Sequence, residues 1–329
     1  MNPNPKAIEV KDLSIQIKTD DGILPIVDSL NFHLVKGETL ALVGESGCGK
    51  SITSLALTRL LPSNTTLYPT GSILFEDHDL LKATPDHLRS VRGKEISYVF
   101  QEPFSALNPL HKIGAQLIEG FLLHGLGSKE EAEEKAIYLL ERVGITDAKL
   151  RLGQYPNQFS GGMLQRVCIA MALMCDPKIL IADEPTSAID VTIQLQLIEL
   201  LKELRKENGM SVLFISHDIG LVSHIADRIA VMYAGKIIEQ GTVAEVIDNP
   251  KHPYTKALIS AYPTHENIGK KLVTIEGIVP SPKSYPTGCR FHTRCSEKLP
   301  VCNQSVPKAV SMSEYQLVEC FLYGGKESA

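Results

Sequence analysis

The sequence lacks any apolar run long enough to cross a membrane. Its longest, Val167–Cys175 (VCIAMALMC), is nine residues, whereas a spanning helix needs about 20. A secretion signal is also missing, because MNPNPKAIEV has no apolar core behind a basic start. Positive charge is not in excess. The formal net charge is -5, which gives no ground for a general attraction to nucleic acid, and none is expected as a partner. Internal repeats and low-complexity tracts are absent. What remains is an ordinary soluble composition, 43% hydrophobic and 22% charged over 329 residues. That length holds one large domain with an appendage, or two domains. A cytosolic or membrane-peripheral protein is expected.

Short apolar strands alternate with helical patterns in the first part of the chain, which predicts an α/β fold. AIEVKDLSIQI, NFHLVKGETLALVG, EISYVF, KILIAD and SVLFIS read as strands. SITSLALTRLL and VTIQLQLIELLKELRKENG read as helices, the second stopped by Gly209. From about Leu110 to Met174 the pattern is helical. There SKEEAEEKAIYLLERVG carries a capping box, Ser128 with Glu131, and ends at Gly144. IAVMYAGKIIEQG predicts a strand pair turning at Ala234-Gly235. Residues 263–329 differ: they hold six prolines, four cysteines and no long periodic segment. A domain boundary is therefore placed near Pro263, giving domains at 1–262 and 263–329.

GESGCGKS, Gly44–Ser51, fits G-x-x-x-x-G-K-[ST] between the strand TLALV and a helix, the context that a phosphate-binding loop requires. Gly44, Gly47 and Gly49 let the backbone curl, so that the N–H groups of Glu45, Ser46 and Cys48 point at phosphate oxygens. Lys50 is expected to reach the β and γ phosphates and Ser51 to ligate Mg²⁺. Cys48 is expected to be a small neutral filler. A dinucleotide fingerprint is excluded, because no third glycine follows Gly47 and Gly49.

Asp183 and Glu184 end the apolar strand KILIAD. An aspartate there can hold Mg²⁺ through its water shell, and the next carboxylate can act as general base on the attacking water. Gln101 and His217 follow strands in the same manner. Gln101 can ligate Mg²⁺ and position water, and His217 can hydrogen-bond the γ-phosphate. Taken alone, each of these is an ordinary turn or loop residue. In open α/β sheets, however, ligands sit beyond the carboxyl ends of the strands. Gly44, Gln101, Asp183 and His217 are therefore expected to serve one nucleotide.

A second anion-binding pattern lies far downstream. In QFSGGMLQR, Ser160, Gly161 and Gly162 precede the apolar helix MLQRVCIAMALM, presenting a helix N-terminus with free N–H groups.

Taken together, these motifs resemble the ATP-binding cassette (ABC) family over about residues 7–262. The resemblance implies a P-loop NTPase of ABC type, with a RecA-like core, a helical subdomain at about 102–175 and a small cysteine-containing extension. It implies that two cassettes pair head to tail. Ser160, Gly161, Gly162 and Met163 would then cap the ATP held by the partner's loop, and the D-loop SAID would end at Asp190. More narrowly, the chain is similar to the ATPase subunits of oligopeptide and dipeptide importers. Met163, QEPFSALNP, DVTIQLQ, HPYTKALISAYP and the cysteine tail carry that likeness. It implies ATP hydrolysis driving peptide import. The implied partners are a second ABC ATPase subunit, two membrane permease subunits that dock on the helical subdomain, and an extracytoplasmic binding protein. The implied place is the cytoplasmic face of the bacterial inner membrane. Nickel or another small solute is the alternative cargo. A soluble ABC ATPase acting on nucleic acid or the ribosome is a weaker alternative. Ile17 stands where family members often stack adenine on an aromatic ring.

Cys289, Cys295, Cys302 and Cys320 are spaced C-x5-C-x6-C-x17-C. Without a secretion signal, such a group reads as a metal site more readily than as disulfides. The C-x2-4-C pairs usual for zinc are absent. Four thiolates can hold a [4Fe-4S] cluster, and the resemblance implies one on these positions. Zinc and unligated structural cysteines are the alternatives.

Overall fold

The structure is a computed structural model and describes residues 5–186, 191–261 and 274–324. Asp190 and the boundary near Pro263 lie outside the described residues. The chain divides into two compact units. One comprises Met1–Ala7, Leu34–Glu38 and Lys82–Ile215. The other comprises Ile8–His33, Thr39–Leu81 and Ser216–Ala329.

In the first unit, the strands Ile96–Val99, Ile179–Asp183 and Ser211–Ser216 run parallel, with Ile179–Asp183 between the other two. Every residue of Ile179–Asp183 and Ser211–Ser216 is buried, as expected for strands covered on both faces. The helices Ile113–Leu123, Lys129–Arg142 and Gly161–Leu173 pack on one another. The predicted capping box forms. Glu131 N–H donates to Ser128 Oγ at 3.2 Å, and Ser128 N–H donates to Glu131 Oε2 at 2.6 Å. Ala132, Ala136, Leu139 and Leu140 form its buried face, an apolar stripe at helical spacing.

In the second unit, Thr39–Val43 runs parallel to Arg228–Tyr233, which turns through Ala234-Gly235 into the antiparallel strand Lys236–Thr242. Both turn residues have positive φ, 46° and 81°. A four-stranded sheet is built from Lys6–Thr19, Gly22–Val35, Thr66–Phe75 and His78–Asp79.

The described part of the C-terminal extension is structured. Ala309–Ser311 and Leu317–Glu319 form a small antiparallel pair, and Leu317–Glu319 also joins the edge of Lys236–Thr242, with Val318 opposite Glu239. Proline and short strands hide this from a periodicity reading. Phe291, 3% exposed, packs on Tyr233, Tyr254 and His252, with ring centroids 5.2, 5.4 and 5.8 Å away. Burial, with Lys256 adding to it, lowers the His252 pKa to about 3. The ring is therefore neutral, and its Nδ1 accepts the N–H of Tyr254 at 3.0 Å. Phe291→Ala is expected to lower the unfolding free energy by about 3–5 kcal/mol in urea denaturation of the full chain. A loss under about 1 kcal/mol would show that the extension is not part of the core.

The expected [4Fe-4S] cluster is not supported. Among the described residues, no group of three or more His, Cys, Asp or Glu side chains could hold a metal ion. The zinc alternative falls with it, and all seven cysteines are free. Burial, reinforced by the neighbouring thiols, pushes the Cys289 pKa up to about 11 and raises those of Cys295 and Cys320. The spacing misled because a segment without periodicity looks as though it needs a metal staple. Phe291 and the strand Leu317–Glu319 already supply the packing that would hold it.

Candidate functional site

The loop Gly44–Ser51 joins the buried strand Thr39–Val43 to the helix Lys50–Leu57. Gly44 and Gly49 have φ of 157° and 109°. A Cβ on Gly44 would lie 2.1 Å from the carbonyl oxygen of Met232, and one on Gly49 would lie 2.9 Å from Met232 Cε. At Gly44 any side chain would have to displace the backbone of the neighbouring strand, and at Gly49 the left-handed φ is what favours glycine. Lys50 is 5% exposed. Its ammonium donates to the carbonyls of Gly44 at 2.8 Å and Glu45 at 3.2 Å. The loop is thus wound around its own lysine. Cys48 is buried, and that burial raises its thiol pKa despite the nearby Lys50 charge. The carbonyl of Cys48 accepts from Gly235 N–H at 2.8 Å, so the turn after Tyr233 braces the loop. In the same unit, His217 is exposed just beyond Ser211–Ser216, and Asp218 caps the next helix by accepting from Leu221 N–H.

In the other unit, the ends of two parallel strands bring Gln101 and Glu184 together. Gln101 Nε2 donates to Glu184 Oε2 at 3.0 Å. Glu184 has φ 45°, a left-handed conformation that costs an L-residue about 1–2 kcal/mol. Its N–H donates to the carbonyl of Ile215 at 3.0 Å, which holds that conformation. Strain of this kind gathers at functional positions. Asp183 is 4% exposed, and Oδ2 accepts from the Tyr98 hydroxyl at 2.7 Å. Ser160 caps the helix Gly161–Leu173, its Oγ accepting from Met163 N–H at 3.3 Å.

Three contributors escape a sequence reading. Tyr98 sits three residues before Gln101, and the period of two in ISYV is the only hint that it reaches the next strand. The Tyr254 hydroxyl accepts from Glu45 N–H at 2.9 Å, and Arg294 Nη1 donates to Glu45 Oε2 at 2.9 Å. Both pairings span more than 200 residues of sequence, and no local signal marks them.

A glycine-wound lysine loop on a buried strand, together with a strand ending in two carboxylates, defines a P-loop nucleotide-binding protein. Comparisons narrow the class. Residues 27–187 match the family described as "ABC transporter", and residues 238–302 match "Oligopeptide/dipeptide transporter, C-terminal region". The oligopeptide transport ATP-binding protein OppD of Bacillus subtilis is 47% identical over 96% of this chain and 89% of its own length. The dipeptide transport ATP-binding protein DppD of the same organism is 46% identical, over 96% and 95%. Among solved structures, a dimeric post-hydrolysis ATP-binding cassette with ADP and phosphate superposes with a TM-score of 0.65 at 27% identity, over 72% of this chain and 98% of that one. The chain belongs to the ABC transporter ATPases, in the oligopeptide/dipeptide transporter branch. It is an ATP-hydrolysing transport subunit of α/β P-loop fold.

Proposed function

We propose that this subunit hydrolyses ATP to drive import of peptides through a membrane permease. The observation that carries the reading is the similarity to oligopeptide and dipeptide transport subunits across 96% of the chain, including the branch-specific C-terminal region. In this reading residues 1–262 are the cassette and 263–329 an extension. Among the described residues, no helix is long and apolar enough to cross a membrane. The subunit is proposed to sit peripherally on the cytoplasmic face, its helical subdomain against the permease. Phe104, Leu110 and Leu123 are exposed there and offer apolar area for docking.

The roles follow from the groups present. The loop N–H groups of 44–51 other than those of Glu45 and Cys48, which are donated to Tyr254 and to the Glu45 carbonyl, hold the phosphates, and Lys50 exchanges its loop carbonyls for β and γ oxygens. Ser51, Gln101 and Asp183 supply a hydroxyl, an amide carbonyl and a carboxylate. This is the hard-oxygen donor set that suits Mg²⁺, which when bound neutralises phosphate charge. With Gln101 Nε2 committed to Glu184, its Oε1 is the atom left to face a cation. Glu184 takes a proton from water, and His217 hydrogen-bonds the γ-phosphate. Ser160–Met163 cap the nucleotide of a partner cassette, which makes hydrolysis a property of the dimer.

Isolating the tagged protein from its native membrane tests the reading. Two permease subunits and a second cassette are expected with it, and a peptide-loaded binding protein should stimulate its ATPase. Stimulation by a nickel-loaded binding protein and not by a peptide-loaded one would overturn the cargo. Recovery with nucleic acid or ribosomes alone would overturn the transport role.

A further inference from the structure

We infer that Arg294, in the C-terminal extension, is a positioning residue for ATP binding, because it neutralises Glu45 and so presets the phosphate-binding loop. This rests on the reading of Gly44–Ser51 as the ATP site. A carboxylate in that loop is a problem, since like charge opposes a triphosphate. The structure shows how the problem is contained. Glu45 Oε2 accepts from Arg294 Nη1 at 2.9 Å, across 249 residues of sequence. Its backbone N–H is tied to Tyr254 and its carbonyl to Lys50. Glu45 Oε1 is buried without a hydrogen-bond partner, so among the described residues the side-chain ion pair of this carboxylate is the one with Arg294.

The guanidinium is itself fixed, with its side chain 6% exposed. Nε donates to the Glu276 carbonyl at 2.8 Å, and Nη2 donates to those of Ile275 and Gly277 at 3.2 and 3.3 Å. Nη1 alone is left for Glu45 and for the Tyr233 hydroxyl at 3.4 Å. Anchoring of the extension and neutralisation of the loop thus use different nitrogens of one rigid fork. A purely structural arginine would need only the first set.

A charge-neutralisation cycle on the full-length protein separates the two roles. Binding of MgATP is measured by calorimetry for the parent, Arg294→Met, Glu45→Gln and the double variant, with Lys50→Ala as the site control. Arg294→Met is expected to weaken MgATP binding about tenfold, and to raise KM in the assembled transporter with kcat changed less than about twofold. Glu45→Gln should bind at least as well as the parent. The double variant should return to within about threefold of Glu45→Gln, because no bare carboxylate remains. Arg294→Lys, which keeps a charge for Glu45 but cannot span three carbonyls, should bind like the parent and serves if Arg294→Met does not fold. Unchanged binding in Arg294→Met, a double variant as weak as Arg294→Met, or tenfold weaker binding in Arg294→Lys would each overturn the inference. A parent that binds no MgATP, or a Lys50→Ala that binds it normally, would overturn the site reading instead.

Discussion

Glu184→Gln is expected to lower steady-state ATP turnover by about 10²–10⁴-fold, the share that a general base contributes. Binding should survive. The new amide carbonyl can still accept from Gln101 Nε2, which now meets Glu184 Oε2 at 3.0 Å, and the backbone bond to Ile215 is untouched. Because cleavage stops while closure does not, the ATP-bound dimer should accumulate. Phosphate release and size-exclusion chromatography with ATP read the two effects. Turnover at the parental rate would remove Glu184 from the role of base.

Gly161→Asp should cut turnover of the assembled dimer about 100-fold, comparable to losing a key donor at a developing anion. The isolated subunit should bind ATP as before. The local structure tolerates the change. Among the described residues, a Cβ at Gly161 meets the Phe104 ring at 3.6 Å and nothing else within 4 Å, and an acidic residue in the first turn of Gly161–Leu173 favours that helix. Damage should appear only where this helix end meets a partner's γ-phosphate. Equal loss of ATP affinity in the isolated subunit would show that Ser160–Met163 act within their own chain, and the head-to-tail pairing would fail.

Sequence legibility followed sequence distance. Strand, loop and helix around Gly44–Ser51 are adjacent in the chain, so their chemistry shows in eight letters. The parallel strands show as unbroken apolar runs, and the capping box at Ser128 as a four-residue pattern. Non-local pairings do not show. Nothing near Glu45 announces Tyr254 or Arg294, and nothing near Asp183 announces the hydroxyl of Tyr98. Cysteine spacing in the tail was misleading for the same reason. Phe291 finds its packing partners in Tyr233, Tyr254 and His252, so the segment gains a core that its own composition does not suggest. The left-handed Glu184 is equally silent in sequence, because a glutamate offers no propensity for that backbone.

The ammonium of Lys50 lies inside an oxygen cage made by its own loop. Stripping water from that charge is therefore completed when the polypeptide folds, and need not be repeated at each catalytic cycle. An arriving phosphate replaces neutral carbonyl oxygens with anionic ones, so the exchange favours the nucleotide and needs no fresh desolvation of the ammonium. Affinity then reflects how well the cage is preset, and mutations remote from the loop that loosen it should weaken nucleotide binding without touching a nucleotide.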